Sequence, residues 1–295
     1  MSVATPAQWV EGARLRTLPM AAAPVIAGTA AAQQMHAVHL GHAGLALLVA
    51  LFLQIGVNYA NDYSDGVRGT DDERVGPLRL TGSGAAKPAQ VKRAAFLCFG
   101  LAALAGAVLV VLSQQWWFAI VGVAAVFAAW GYTGGKKPYG YLGLGDIFVF
   151  IFFGPVATLG TTLTQAGRLN VDAWIMAIST GLFACALLMA NNVRDIPGDR
   201  EVGKKTLAVR LGDAKARLTF AAEMAVGMVL PLLLVPYNPW VLLVYAMTPL
   251  ALAASATVLK SKERRALIPV LKQCGLVNLG FTVLYALAVL VHQYV

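Results

Sequence analysis

The sequence predicts an all-α, multispanning membrane protein with nine transmembrane helices bundled around an acidic site that faces the cytoplasm. Three observations lead there. Hydrophobic residues make up 58% of the 295-residue chain and charged ones only 13%, with a mean hydropathy of +0.68; an average soluble domain has about a quarter of its residues charged. The apolar residues fall into nine runs near the roughly 20 residues that cross a bilayer as a helix. The basic residues between those runs are segregated to one side.

In chain order the runs cover about Thr17 to Ala32, His42 to Ala60, Ala94 to Leu112, Trp116 to Tyr132 and Gly145 to Leu163. Four more cover Trp174 to Asn191, Leu218 to Val235, Pro239 to Leu259, and Cys274 to His292. Nine crossings put the N-terminus and every second link on one face, and that face then holds 22 of the 23 Lys and Arg residues, Arg168 being the exception. Cytoplasmic loops carry the excess of Lys and Arg, so the N-terminus is expected inside and the C-terminus outside. The residues up to Arg16 show no basic region, apolar core and small-residue cleavage site in succession, so no removable signal is expected. A bacterial inner (plasma) membrane is the expected location.

The net charge of +9 does not point to nucleic acid, because its distribution follows the membrane topology. Cys98, Cys185 and Cys274 each lie in or beside an apolar run and read as small packing residues. Trp116 and Trp117 start a run and suit an interfacial belt. His36, His39 and His42 share an outer link, across the membrane from the acidic residues.

Two long cytoplasmic links carry the chemistry, Asn61 to Arg93 with 33 residues and Asn192 to Arg217 with 26; loops of that length in a compact protein are usually functional or disordered. The first opens on Asn61, Asp62 and Asp65 and continues to Asp71, Asp72 and Glu73. The second opens on Asn192, after Asn191, and carries Asp195 and Asp199. If each stretch continues the helix before it, Asp62 and Asp65 share one face, and so do Asp195 and Asp199. One acid-rich link reads as solvated surface; two matched ones at helix ends read as a divalent-metal site, because crowded carboxylates repel unless a cation sits among them. Magnesium links one or two carboxylates to phosphate oxygens, and Arg68, Arg74, Arg194, Arg200, Lys204 and Lys205 are placed to take further oxygens. A lid over a site between the second and sixth helices, formed by about 61–93 and 192–217, is the expected arrangement within a single domain spanning 1–295. The two stretches also suggest a weak parallel repeat.

A third cytoplasmic link, Trp130 to Asp146, is rich in Gly and Tyr. It is expected to form another wall, with Lys137 reaching a diphosphate and Tyr132, Tyr139 or Tyr141 facing an aromatic or cationic species. Gln54, two turns before Asn61, suits a polar lining position, and Glu223 lies near the cytoplasmic end of its helix.

The pattern Asn61-Asp62-x-x-Asp65, then Asp195-x-x-x-Asp199, within nine apolar runs resembles the UbiA superfamily of intramembrane aromatic prenyltransferases. Arg16-Thr-Leu-Pro19, Gly76-Pro-Leu-Arg79, Tyr132-Thr-Gly-Gly135, Gly140 to Asp146 and Asn192 to Thr206 most resemble its 1,4-dihydroxy-2-naphthoate polyprenyltransferase (MenA) branch. The resemblance covers nearly the whole chain. It implies Mg2+ held by Asp62, Asp65, Asp71 or Asp72, Asp195 and Asp199, a polyprenyl diphosphate donor, a dihydroxynaphthoate acceptor that loses its carboxylate, and demethylmenaquinone as product. It also implies a pocket open sideways to membrane lipid. Where the superfamily often has a third acid four residues after the second, this chain has Gly69, which passes that role to Asp71 or Asp72. Another aromatic acceptor, 4-hydroxybenzoate or homogentisate, would use the same diphosphate chemistry. A cation-coupled transporter would instead place its site near the midplane on broken helices, unlike acids at helix ends on one face.

Overall fold

Apolar side chains at helical spacing, with few β-branched clusters and with proline near several starts, fold all nine runs as helix. In the computed structural model, which describes residues 4–69, 78–135 and 138–295, every regular element is helical. The elements are α1 (Pro6–Gly12), α2 (Leu18–Gln34), α3 (Leu40–Val67), α4 (Pro88–Ser113), α5 (Phe118–Gly131), α6 (Gly145–Ile151) and α7 (Ala157–Ala166). They continue with α8 (Val171–Glu201), α9 (Leu207–Leu211), α10 (Asp213–Val229), α11 (Thr248–Lys260) and α12 (Ile268–Tyr294). A π-helical turn, Phe152–Val156, joins α6 to α7 around Pro155, where the missing proline N–H breaks the regular ladder.

Among the described residues seven helices are long and apolar enough to cross a membrane, with Phe118–Gly131 a shorter apolar helix of 14 residues and Leu18–Gln34 reaching 17. By length and composition the nine expected crossings are thus seven, plus two shorter helices. Helix α8 is the axis: 78% of its most apolar window is buried, against 17% for α3. Phe183, Met189 and Val193 of α8 pack with Phe220 and Met224 of α10 and Phe281 and Tyr285 of α12 in the largest core. Helix α2 lies against α3, α7, α8 and α12, so it bridges the two helices that carry the aspartates. Large apolar residues stay exposed on the outer helices, among them Leu97, Leu104, Ile120, Phe127 and Leu252, as a lipid solvent allows.

Both acid-bearing helices run further than the apolar runs. Helix α3 carries Asp62 and Asp65 before ending at Val67, and α8 carries Asn191, Asn192, Asp195 and Asp199 before ending at Glu201. The first link therefore starts near residue 68, and the second shrinks to the short stretch before α9. Helix α8 passes through Pro197, which has no N–H for the carbonyl of Val193, four residues back. The Arg264 guanidinium donates to that carbonyl at 2.5 Å instead.

Candidate active site

The site is assembled where α3, α8 and the 132–146 link meet. On α3, Asp62 is 1% and Asp65 4% exposed, and a carboxylate so buried needs partners. The backbone N–H groups of Leu80 and Thr81 donate to the two oxygens of Asp62 at 2.7 and 2.8 Å. Gly66 allows this: a Cβ there would stand 2.5 Å from Thr81 Cγ2, so the 80–82 turn lies against the helix only because the side chain is missing.

Asp65 is where three stretches converge. The Tyr141 hydroxyl donates to it at 2.7 Å, Lys204 Nζ at 3.3 Å, and Arg79 lies 3.7 Å away. Lys204 stands just beyond α8, with its backbone N–H on the carbonyl of Asp199, so this one ion pair ties the two acidic helix ends together. Lys204 Nζ also lies 4.4 Å from the Tyr141 ring centre. Burial, the Asp65 charge and the hydrogen bond to it push the Tyr141 hydroxyl up, against Lys204 pulling it down.

On α8, Arg194 grips its neighbour Asp195 with both arms of the fork, at 2.6 and 2.7 Å, and donates to Asn191 Oδ1 at 2.8 Å. Asn192 is buried and Arg200 exposed on the same helix end. Asn61 accepts from Thr133 Oγ1 at 2.7 Å, and Arg68 donates to the carbonyls of Thr133 and Gly135, both at 2.6 Å. Arg68 thus fastens the third link to α3 rather than pointing a bare guanidinium at a ligand. Tyr139 spends its hydroxyl on the carbonyl of Ala128 at 2.8 Å and stacks on Phe148. Asp71, Asp72, Arg74 and Lys137 lie outside the described residues.

Beside these groups runs a cavity of about 910 Å³. Its polar end is lined by Arg14, Arg16, Asn58, Asn61, Asn191 and Arg194, and its long apolar part by residues such as Leu53, Val110, Trp116, Val123 and Phe152. Along α3 the lining runs from Asn61 to Ala46, about 22 Å at the helical rise. None of Asp62, Asp65, Asp195 and Asp199 lines it; Asp62 is turned onto backbone amides, and Asp65 and Asp195 onto cations, beside it. Sequence reasoning left out Arg14, Arg16, Asn58 and Arg79 as site residues, whereas Arg194 stands in the cavity wall as one of the expected anion binders. A signal for one was present: Gln54, Asn58 and Asn61 recur at i, i+4 and i+7 within an apolar run, one polar stripe on one helix face.

Among the described residues no three His, Cys, Asp or Glu side chains gather closely enough to hold a metal ion. The donors that are present, hard carboxylate oxygens on two adjoining helix ends, fit magnesium arriving with phosphate oxygens, which needs only one or two carboxylates. They do not form an all-protein cage.

The chain belongs to the UbiA prenyltransferase family, whose model matches residues 21–290. It is an all-helical, multi-pass membrane protein. It is 53% identical over 283 residues to the 1,4-dihydroxy-2-naphthoate octaprenyltransferase of Mycobacterium tuberculosis (strain ATCC 25618 / H37Rv), covering 96% of this chain and 95% of that one. It is 37% identical to the protein of the same name from Escherichia coli (strain K12), covering 97% and 96%. Two solved structures share the fold. The UbiA homolog from Aeropyrum pernix K1 aligns with a TM-score of 0.69 at 14% identity, covering 93% of this chain and 98% of that one. The UbiA homolog from Archaeoglobus fulgidus bound to GPP and Mg2+ aligns at 0.62 and 15%, covering 96% and 99%.

Proposed function

We propose that this chain transfers a polyprenyl group from polyprenyl diphosphate to 1,4-dihydroxy-2-naphthoate, with loss of the carboxyl group as carbon dioxide, giving the prenylated naphthalenediol that is the two-electron-reduced form of demethylmenaquinone, in menaquinone biosynthesis. The observation that carries the reading is the cavity, whose basic and amide-lined end adjoins two acidic helix ends and opens into a long apolar chamber. A diphosphate head with an isoprenoid tail has that division of polarity. The naphthoate acceptor comes from the relatives at 53% and 37% identity.

Asp62, Asp65, Asp195 and Asp199, with Asp71 or Asp72 from the sequence that follows α3, are the residues to hold Mg2+. When bound, magnesium offsets the charge that builds on the diphosphate as the carbon–oxygen bond breaks. Lys204, Arg194, Arg200 and the sequence's Arg74 and Lys137 supply further cations for the phosphate oxygens. Asn61, Asn191 and Asn192 add neutral donors, Arg68 holds the wall in place, and Tyr139 offers its ring. The apolar chamber keeps water from the allylic cation until the ring carbon attacks. With attack at the carboxyl-bearing ring carbon, the carboxylate departs as carbon dioxide and leaves its bonding electrons to the ring, so no base has to remove a ring proton. Each buried CH₂ contributes about 0.8 kcal/mol to keeping a tail in lipid, which is why this chemistry is housed in a membrane protein. The segregated Lys and Arg residues support a cytoplasmic N-terminus and a cytoplasmic active site under the links 61–93 and 192–217 of a single domain.

The test is product analysis of the purified protein with labelled polyprenyl diphosphate and, in parallel, 1,4-dihydroxy-2-naphthoate, 4-hydroxybenzoate or homogentisate. Prenylated, decarboxylated naphthoate as the main product, abolished by EDTA, is expected. Preferential prenylation of either other acceptor would overturn the choice of acceptor, and transfer to none would overturn the reading.

A further inference from the structure

Next to the groups expected to meet the diphosphate, the cavity holds a second set of polar atoms. Arg16 lines the cavity, is exposed, and forms no hydrogen bond or ion pair among the described residues. Arg194 lines the same space with its Nη1 outside the bonds it makes to Asp195 and Asn191. The Arg16 guanidinium is pulled below its usual range by burial and by the Arg194 charge, with Glu11 acting against both. Two guanidinium groups that disfavour one another mark a place where an anion is stabilised.

Beside Arg16 lies a network whose donor directions are fixed. Asn58 Nδ2 lies 2.9 Å from the carbonyl of Ala13, which only accepts, so the Asn58 amide orientation is set and its Oδ1 is an acceptor. Gln54 Nε2 then donates to Asn58 Oδ1 at 3.3 Å and to Thr17 Oγ1 at 3.1 Å. Thr17 in turn donates to the carbonyl of Arg14 at 2.9 Å. Gln54 lines the cavity, and what remains of its amide is Oε1, an acceptor without a donor among the described residues. A diphosphate has only acceptor oxygens at neutral pH and cannot satisfy it; a phenol can. Gln54 also lies seven residues before Asn61, roughly 10 Å along the helix from the diphosphate end.

We propose that Arg16 and Gln54 form the acceptor subsite, Arg16 taking the carboxylate of a hydroxylated aromatic acid and Gln54 Oε1 accepting a hydrogen bond from its ring hydroxyl. The inference deepens the proposed function and rests on it. It also explains selection of an acid: a charged donor and a neutral acceptor lining one cavity, with Gln54 bonded to Thr17 next to Arg16 in the chain, suit a ring that carries both carboxylate and hydroxyl.

The test is equilibrium binding to the full-length protein in detergent, without donor, of three probes: 1-hydroxy-2-naphthoate, 1-naphthol and 2-naphthoate. The wild type is expected to bind the first roughly 10- to 100-fold more tightly than either of the others, the range of a charge-assisted or otherwise stranded hydrogen bond. Arg16→Gln is expected to erase the preference over 1-naphthol, and Gln54→Leu the preference over 2-naphthoate. Binding of inorganic pyrophosphate with Mg2+ stays within twofold in both. Equal binding of the three probes by the wild type overturns the proposal, and so does a loss of pyrophosphate rather than naphthoate binding in Arg16→Gln, which would assign Arg16 to the diphosphate. If Arg16→Gln does not fold, Arg16→Lys keeps the charge without the planar fork and is expected to lose most of the carboxylate preference. Prenyl transfer by the wild type is measured alongside: no transfer to the naphthoate refutes the proposed function, whereas transfer with unshifted probe binding refutes the subsite alone.

Discussion

Asp65→Asn probes the point where the two acidic helix ends and the third link come together. The Asp65 carboxylate is 4% exposed, with Tyr141 at 2.7 Å, Lys204 at 3.3 Å and Arg79 at 3.7 Å. The substitution keeps the shape and an oxygen for Tyr141 but removes the charge that faces two cations. Removing one partner of a buried pair costs about 3–5 kcal/mol. Here the cations' side chains are 12% and 10% exposed, so water recovers part of that and about 2–3 kcal/mol is expected. At roughly 2 °C per kcal/mol for a chain of this size, the thermal midpoint in detergent falls by about 4–6 °C. Adding Lys204→Gln removes one of the facing cations and is expected to restore about half of that loss, as coupled neighbours do. Turnover separates the two roles of the carboxylate. Product formation from labelled polyprenyl diphosphate should fall about 10³-fold or more in the single and the double variant alike, the scale of losing a group that stabilises developing charge. Near-normal turnover in Asp65→Asn, or turnover returning with stability in the double variant, would make Asp65 a structural counter-ion and refute the metal-ligand assignment.

Three further outcomes follow from the geometry. Tyr141→Phe keeps the ring against Lys204 but deletes the hydrogen bond to Asp65, costing about 1.5–3 kcal/mol, and should raise the Mg2+ concentration for half-maximal turnover several-fold. Because burial and Asp65 raise the folded-state pKa of Tyr141 above its ordinary value of 10.0, its share of stability is complete below pH 10 and is lost as pH rises through the folded value. Thermal scans should therefore show the wild type losing more above that pH than the Phe variant does. Arg264→Met strands the Val193 carbonyl that Pro197 leaves without its helical donor, with a loss of about 1–3 kcal/mol; Pro197→Ala in that background supplies the missing N–H and should recover stability in the same melts. Gly106 lines the cavity, where a Cβ meets only Val49 Cγ2 at 3.7 Å. Gly106→Phe should lower kcat/KM for long polyprenyl diphosphates by about tenfold while leaving geranyl diphosphate nearly unchanged, read from a donor-length series.

What could be read in the sequence was what depends on local pattern. Nine apolar runs announced nine crossings, of which seven are helices long and apolar enough to span among the described residues and two are shorter; the i, i+3 and i, i+4 aspartates were placed on helix faces, as α3 and α8 place them. Where α3 and α8 end was not legible, because their last turns hold polar residues that are stabilised by distant partners: the amides of Leu80 and Thr81 on Asp62, and Arg264 under Pro197. The same limit applies to charge. Arg68, counted among the phosphate binders, is spent on the carbonyls of Thr133 and Gly135, whereas Arg16, noted only as part of a motif, stands in the cavity wall. Composition gives the number of cations on a face, but only tertiary contacts decide which are already engaged.

In the proposed reaction the acidic ends of α3 and α8 bind one diphosphate together, through magnesium. The most direct test of this is calorimetric binding of geranyl S-thiolodiphosphate, whose carbon–sulfur bond resists cleavage, to the wild type, Asp65→Asn and Asp195→Asn, each with Mg2+ and with EDTA. Binding by the wild type only with Mg2+, and its loss in both variants, is expected. Binding that survives EDTA, or that Asp195→Asn leaves intact, would contradict shared binding through magnesium.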